Sequence, residues 1–199
     1  MNNIYLYWFR SDLRVTDNKA LSYAATKENV AAMYIYDPAV INSDDFSYLH
    51  LDFINDSLKE LSNYFLSKGS FLNIFHNFSV KVLNTISESY NIKSIITHCD
   101  IKNHSTHLRD NQLLKYCKNQ GIKWNRFQNN GVVSGLKNRD GWSYKWNAEM
   151  KKEILDIPNV TAFRKLDGTA GIQNHKSLGV SKINYHKTIE GGEKSAITQ

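Results

Sequence analysis

The first 130 residues alternate short apolar runs with longer segments of helical spacing, and this alternation limits the fold more than any other feature of the chain. The runs are rich in β-branched and aromatic residues, which are typical of strands. They are Ile4 to Phe9, Val30 to Tyr36, Phe71 to Phe75, Ser94 to His98 and Ile122 to Phe127. Because parallel strands are usually joined by helical crossovers, the pattern predicts an α/β protein with a Rossmann-like, doubly wound, five-stranded parallel sheet and flanking helices.

The connecting segments carry helix signals. Asp17 and Asn18 provide N-cap chemistry for a first helix, and the clearest period runs from Tyr48 to Ser67, where apolar residues recur every three or four positions. Two more helices are predicted, one opened by Ser79 and one from Ser105 to Gln120. Their expected apolar faces consist of Val82, Leu83, Ile86 and Tyr90 and of Leu108, Leu113, Leu114 and Cys117.

Beyond Asn130 the pattern changes. Trp142, Trp146 and Met150 recur at a spacing of four, which predicts one more amphipathic helix with Asp140 as its cap and the aromatic stripe buried, in preference to a stacking platform for nucleic acid. From Asn159 the chain is polar, Gly-rich and without periodicity, so we expect a linker that packs less tightly than the sheet. The expected units are an α/β domain over 1–130, an added helical region of the same domain over 131–158, and a linker over 159–199 that reaches the start of a further domain.

Composition narrows the functional classes. A formal net charge of +6 would permit contact with nucleic acid, but the lysines are scattered singly, which favours an ordinary solvated surface. Two isolated cysteines are too few for a disulfide framework or a thiolate metal site, and a reducing compartment fits them. The N-terminus lacks a secretory signal, and no stretch approaches the roughly 20 apolar residues that cross a bilayer. We therefore expect a cytoplasmic protein without membrane contact.

Charged residues are concentrated after the first predicted strand, from Trp8 to Asn18. Charge pattern alone favours Arg–Asp pairs and helix capping that fix the loop, because ion-pair networks are commoner than binding sites. In doubly wound sheets, however, ligands bind beyond the carboxyl ends of strands where the strand order reverses. This rule directs attention to the segments after Trp8, Tyr36 and His98.

The order of these residues adds a more specific indication. The end of the first strand and the residues after it resemble the opening motif of the DNA photolyase/cryptochrome family. The matching residues are Trp8, Arg10, Asp12, Leu13, Arg14, Asp17 and Asn18. Three further segments are similar to that family: Tyr36-Asp37-Pro38, Arg109-Asp110, and Gly191-Gly192-Glu193 with Lys194-Ser195-Ala196. The last of these resembles the start of the family's helical, FAD-binding domain.

The resemblance implies the family's first domain and linker without its second domain. In the family, this domain holds an antenna chromophore that passes excitation energy to the FAD of the helical domain. FAD is therefore not expected on this chain alone, and damaged DNA would be reached only through a missing or separate helical domain. The position of the carboxylate that contacts folate in other members falls near Thr106, so a deazaflavin or FMN is favoured over folate.

The resemblance also implies which residues hold the antenna: Trp8, Arg10, Asp37, His50, Asp100 and Asn103. His50 stands where the family has a basic residue, and a neutral imidazole offers one donor where a guanidinium offers a planar fork. If Trp8, Arg10, Asp37, His50 and Asp100 lie at the carboxyl ends of strands, they should converge on one crevice. No residue is assigned a catalytic role.

His98, Cys99, Asp100, His104 and His107 invite comparison with a metal site. Zinc sites on helices more often use a spacing of four, and they need further ligands in a recognisable pattern, so we expect surface or capping histidines and no metal. Two alternatives to the antenna domain remain open. The chain could be part of a complete flavin-dependent photolyase that repairs UV-damaged DNA, or a stand-alone nucleotide- or partner-binding α/β domain.

Overall fold

The structure is a computed structural model that describes residues 1–100, 103–128, 138–187 and 189–198. Five parallel strands form one sheet in the order β3-β2-β1-β4-β5, and these are β1 (Asn2–Phe9), β2 (Val30–Tyr36), β3 (Leu72–His76), β4 (Tyr90–His98) and β5 (Lys123–Phe127). The chain winds outward from β1 through β2 to β3 and then crosses to β4 and β5 on the other side. The prediction of a doubly wound, five-stranded parallel sheet is therefore confirmed.

The described helices flank this sheet: α1 (Lys19–Ala25), α2 (Pro38–Ile41), α3 (Tyr48–Ser67), α4 (Ser79–Ser89), α5 (His104–Gln120), α6 (Trp142–Met150) and α7 (Glu193–Thr198). None of them combines the length and apolar content that a membrane crossing requires. Asn18 caps α1 as predicted, because its side-chain oxygen accepts from the Leu21 amide at 2.8 Å. Asp140 does not cap α6, whose N-cap is Gly141 in the left-handed region at φ 72°.

Two core layers cover the faces of the sheet. Side chains alternate along β1, so Tyr7 and Phe9 pack in one layer while Leu6 and Trp8 pack in the other. The first layer includes apolar residues of α1 and α3, and the second includes residues of α4 and α5. Burial on both faces is what a central parallel strand requires.

Two predicted apolar faces need correction. Tyr90 begins β4 and pairs with Asn2, so it does not extend the face of α4. On α5, Leu113 is fully buried, whereas Leu108 and Leu114 are about half exposed. The helical period had placed these residues on inward faces, because spacing alone does not show where the next strand begins or which side chains of a helix are covered.

The predicted burial of the aromatic stripe on α6 is wrong. Trp142 and Trp146 are 38% and 39% exposed, and α6 contains no buried residue. Their rings stack on each other with centroids 6.2 Å apart. The helix lies outside both core layers, and an ion pair between Glu149 and Lys19 of α1 links it to the domain. The preceding residues 131–137 of this predicted region lie outside the described residues.

The segment after Asn159 is mostly exposed, but it also contributes side chains to the core. Four of its apolar side chains are buried in the two core layers: Val160, Phe163, Leu166 and Leu178. The fully buried side chain of Asn73 on β3 fixes this segment, because its oxygen accepts from the Leu166 amide at 2.7 Å and its nitrogen donates to the Arg164 carbonyl at 2.9 Å. Apolar residues without a regular period therefore fill the core here one by one.

Replacing Phe163 by alanine should lower the free energy of unfolding by about 3 kcal/mol, because the ring is buried and packs edge-on against Phe65. The measurement is chemical denaturation followed by circular dichroism. Thr161→Ala is the matched control at an exposed position of the same segment and should change stability by less than about 0.5 kcal/mol. Equal effects of the two substitutions would show that this segment does not contribute to the core.

Candidate ligand-binding site

A cavity of about 990 Å³ lies at the carboxyl ends of β1, β2 and β4, where the strand order reverses. Its walls come from the loop after β1, from α2 and the first half of α3, from the start of α5, and from the returning segment around Tyr185 to Ala196. The six residues implied by the sequence all line it: Trp8, Arg10, Asp37, His50, Asp100 and Asn103. The residues expected to converge therefore line one crevice, and a ligand-binding role for the six stays a prediction.

A buried polar network supports the loop after β1. The Asp12 carboxylate is shared by the Tyr7 hydroxyl at 2.6 Å, the His98 Nδ1 at 2.6 Å and the Arg10 amide at 2.9 Å. The Asn18 amide nitrogen donates to the Tyr7 oxygen at 2.8 Å. Since Tyr7 lies on β1 and His98 ends β4, the network joins the two strands whose ends form the floor of the crevice. His98 is thus a buried structural residue and not the surface or capping histidine that we expected.

The charge state of this network follows from its contacts. Burial opposes ionisation of Asp12, but the hydrogen bond and charge of His98, with the Tyr7 hydroxyl and the Arg10 amide, lower the pKa of Asp12 below its ordinary value. Burial and the neighbouring Asp12 carboxylate raise the pKa of Tyr7 well above its ordinary value. Asp12 is therefore a carboxylate and Tyr7 a neutral donor at physiological pH.

Arg10 belongs to a second cluster, which contains two arginines and two aspartates. Its Nη2 lies 2.7 Å from Asp110 and 3.4 Å from Asp100, and Arg109 contacts the same two carboxylates at 3.1 and 3.3 Å. The guanidinium carbons of both arginines lie 5.3–5.4 Å from the centre of the Trp8 ring, a cation–π distance. Among the described residues, the Nε and Nη1 atoms of Arg10 are buried without a hydrogen-bond partner.

Asp37 and Asn103 are occupied as structural caps. The Asp37 carboxylate accepts from the Ala39 amide at the start of α2 and from the Ser79 amide at the start of α4, both at 2.9 Å. The Asn103 oxygen accepts from the Thr106 amide at 2.9 Å, which caps α5. Both side chains therefore shape the cavity by fixing helix starts, and their oxygens already have protein donors.

His50 also has a structural contact. Its Nδ1 accepts from the Ser47 amide at 3.1 Å, in the arrangement of a capping box at the start of α3. Nδ1 is therefore occupied by this cap, and Nε2 is the ring nitrogen left to contact a ligand. The ring is exposed at the rim of the cavity, where it can offer a single donor.

Two further residues, both tyrosines of β2, line the cavity although the sequence did not predict them there. Tyr34 and Tyr36 lie on the same side of the strand, with rings 5.1 Å apart at 81°. The Tyr36 hydroxyl is bound to Asn55 of α3, whereas the Tyr34 hydroxyl has no hydrogen-bond partner among the described residues. The sequence did contain a signal for them. Residues two apart lie on the same side of a strand, and residues at the carboxyl end of a strand lie near the crevice.

The returning segment closes one side of the cavity. Both oxygens of Glu193 accept from amides of the loop after β1, Val15 and Thr16, at 2.9 Å each. Gly191 passes so close to α3 that a Cβ there would overlap the carbonyl group of Phe53. The Gly-Gly-Glu run thus combines a close backbone approach with a carboxylate that ties the segment to the opening loop.

The described residues contain no group of three or more His, Cys, Asp or Glu side chains placed to hold a metal ion. His104 and His107 point outward on α5 and are exposed. Cys99 is half-buried, and Cys117 is buried in the core.

Comparison with known proteins agrees with the fold. The sequence model of the family described as DNA photolyase matches residues 5–160. The deoxyribodipyrimidine photo-lyase of Synechococcus sp. is 24% identical over 119 residues, which are 59% of this chain and 24% of that protein. Cryptochrome-1 of Anopheles gambiae is 28% identical over 132 residues, 62% of this chain and 24% of that protein. The chain thus spans about a quarter of the length of these relatives.

Solved structures show the same architecture. The archaeal photolyase from Sulfolobus tokodaii superposes with a TM-score of 0.72 at 24% identity, covering 98% of this chain and 45% of that one. A cryptochrome from Synechocystis gives a TM-score of 0.76 at 19% identity with the same coverage. The Sulfolobus structure holds two FAD molecules, from which a novel light-harvesting cofactor is inferred for that protein. At these identities the comparison supports a shared fold.

Replacing Asp12 by asparagine should lower the free energy of unfolding at pH 7 by about 3 kcal/mol, because His98 and Tyr7 lose a buried carboxylate partner. Folding lowers the pKa of Asp12 below its ordinary value of 3.8, so its stabilising contribution is complete above that value and is lost as the pH falls below it. The variant should therefore lose less stability than the wild type between about pH 5 and about pH 2.

Denaturation curves across that pH range measure this difference. Asp44→Asn, at an exposed position, is the control and should retain the pH dependence of the wild type. Parallel curves for Asp12→Asn and the wild type would contradict the assignment of Asp12 as a buried carboxylate.

Proposed function

The chain belongs to the DNA photolyase family, and from that premise we propose that it is an antenna domain, which holds a light-harvesting chromophore. One observation carries the proposal: the loop after β1, the end of β2, the helices α2, α3 and α5, and the returning segment converge on a large cavity at the switch point of the sheet. A volume of about 990 Å³ is at the upper end of the range for small-molecule sites. Flat tricyclic chromophores are of a size to fill it.

The donor set of the cavity suits such a ligand. Aromatic and aliphatic side chains form most of the walls, among them Tyr34, Phe46 and Phe53, with a few polar groups between them. Apolar walls exclude water from a planar ring system, and isolated donors such as the Tyr34 hydroxyl fix its orientation. A bound chromophore would supply light absorption, and the residues of this chain would hold, orient and shield it.

Within this class, we propose a deazaflavin or FMN in preference to folate. Thr106, at the position where the resemblance implies a folate contact, is buried, and its hydroxyl donates to the Asn103 carbonyl in the cap of α5. A buried hydroxyl that is committed to a cap cannot replace a carboxylate that binds a pterin ring. FAD of the kind that performs repair chemistry is not expected on this chain alone.

Repair is a separate task in this proposal. It needs a reduced flavin beside an extruded lesion, and unstacking the lesion costs a few kcal/mol that a shaped pocket and phosphate contacts must offset. We propose that a helical FAD-binding domain supplies these features, and that damaged DNA is bound through that domain. The 199-residue chain then contributes light harvesting and no lyase activity by itself.

The purified chain should retain a deazaflavin or FMN through gel filtration and should retain folate less. Absorbance of the protein fraction measures the retained chromophore. Val40→Trp, which places an indole at the cavity wall, should reduce retention at least fivefold, whereas Glu88→Trp, on the exposed side of α4, should leave it unchanged. Equal retention by both variants would mean that the chromophore binds elsewhere.

Illumination of the chain with FAD and dimer-containing DNA should give no repair. Light-dependent repair by the 199-residue chain would overturn the proposed division of tasks and would favour a complete lyase. Failure to retain any chromophore would favour the stand-alone binding domain.

A further inference from the structure

The charged groups of the cavity walls include a surplus of carboxylates. Three arginines and four acidic residues line it: Arg10, Arg14, Arg109, Asp37, Asp45, Asp100 and Glu193. Each of these carboxylates accepts from protein donors. Asp45 accepts from the Asn103 side-chain nitrogen at 2.7 Å. Carboxylates thus outnumber guanidinium groups around the cavity.

The arginines offer little net charge to an anionic ligand. Arg10 and Arg109 share Asp100 and Asp110, so their cluster is neutral as a whole. Arg14 donates to carbonyl oxygens of the opening loop, which do not neutralise it, but its single positive charge is outweighed by Asp37, Asp45 and Glu193 in the cavity wall. A phosphate placed beside the cluster would also lie near the Asp100 carboxylate, and like charges at short distance repel.

Tyr34 provides a different kind of contact. Its side chain is 8% exposed and lines the cavity. Its hydroxyl has no hydrogen-bond partner among the described residues. Burial, with the nearby Tyr36 and Asp100, raises the pKa of Tyr34 well above its ordinary value. The hydroxyl is therefore a neutral donor, and a neutral donor in an apolar wall is suited to a ring carbonyl or ring nitrogen.

We propose that the cavity selects an uncharged, hydrogen-bond-accepting ring system and disfavours a phosphate, and that the Tyr34 hydroxyl recognises the ring acceptor. The inference rests on the proposed function and narrows its ligand class: a deazaflavin or flavin without its phosphate binds better than the corresponding phosphate ester. His50 fits this selection, because its Nδ1 is occupied in the cap of α3 and only one ring nitrogen remains for a ligand at the rim.

Riboflavin and FMN test the selection, since they differ only in the terminal phosphate. Titrations of the purified 199-residue chain, followed by flavin fluorescence, should give riboflavin at least threefold tighter binding than FMN at low salt. The difference should shrink as salt screens the repulsion. FMN binding as tightly as riboflavin, or more tightly, would overturn the inference and leave the proposed function intact. Binding of neither would overturn the inference and remove flavins from the proposed function, which the gel-filtration test with a deazaflavin then decides separately.

Tyr34→Phe tests the recognising residue. Loss of one hydrogen bond should weaken riboflavin binding about three- to tenfold while the fold, followed by circular dichroism, is retained. Tyr23→Phe, outside the cavity, is the matched control and should bind as the wild type does. Unchanged binding by Tyr34→Phe would show that the hydroxyl does not contact the ligand.

Discussion

The cavity depends on one buried carboxylate. Asp12 is fully buried, and such a charge is stable only when donors surround it. The donors come from the strand before it, from the end of β4 and from the backbone of Arg10, so the same contacts that stabilise the charge also fix the path of the loop after β1. Asn18 extends this network into the cap of α1. The position of Arg10 at the cavity is therefore a consequence of the network beneath it.

A second constraint is the neutrality of the arginine cluster. Desolvating a guanidinium is costly unless a carboxylate accompanies it, and here each of Arg10 and Arg109 meets both Asp100 and Asp110. The Trp8 ring adds a face that tolerates both cations. What remains for a ligand is a set of oriented dipoles with little net charge. The same arrangement that makes the cluster stable thus makes the cavity polar without making it an anion site.

The sequence predicted where residues lie in the fold more reliably than what their side chains do there. The bounds of β2 agree in full, because a strand buried on both faces is a continuous apolar run. The burial of Trp142 and Trp146 was wrong, since a helical period shows which side chains share a face and not what covers that face. Asp37 and Asn103 were placed correctly at the cavity, but their use as caps was not foreseen. Capping and ligand contact require the same residue types, so only geometry separates them.

The returning segment shows why the whole site could not be predicted from local sequence patterns alone. Glu193 bonds to Val15 and Thr16 across 178 and 177 residues of sequence, and no periodicity predicts such a contact. The loop after β1 is consequently held from beneath by Asp12 and from its outer side by Glu193. Contacts between such distant parts of the chain carry a large loop-closure entropy, which is offset only when the intervening sheet is already folded. The floor of the cavity is therefore formed by the sheet itself. The closure of the cavity depends on Gly191, which allows the returning segment to approach α3.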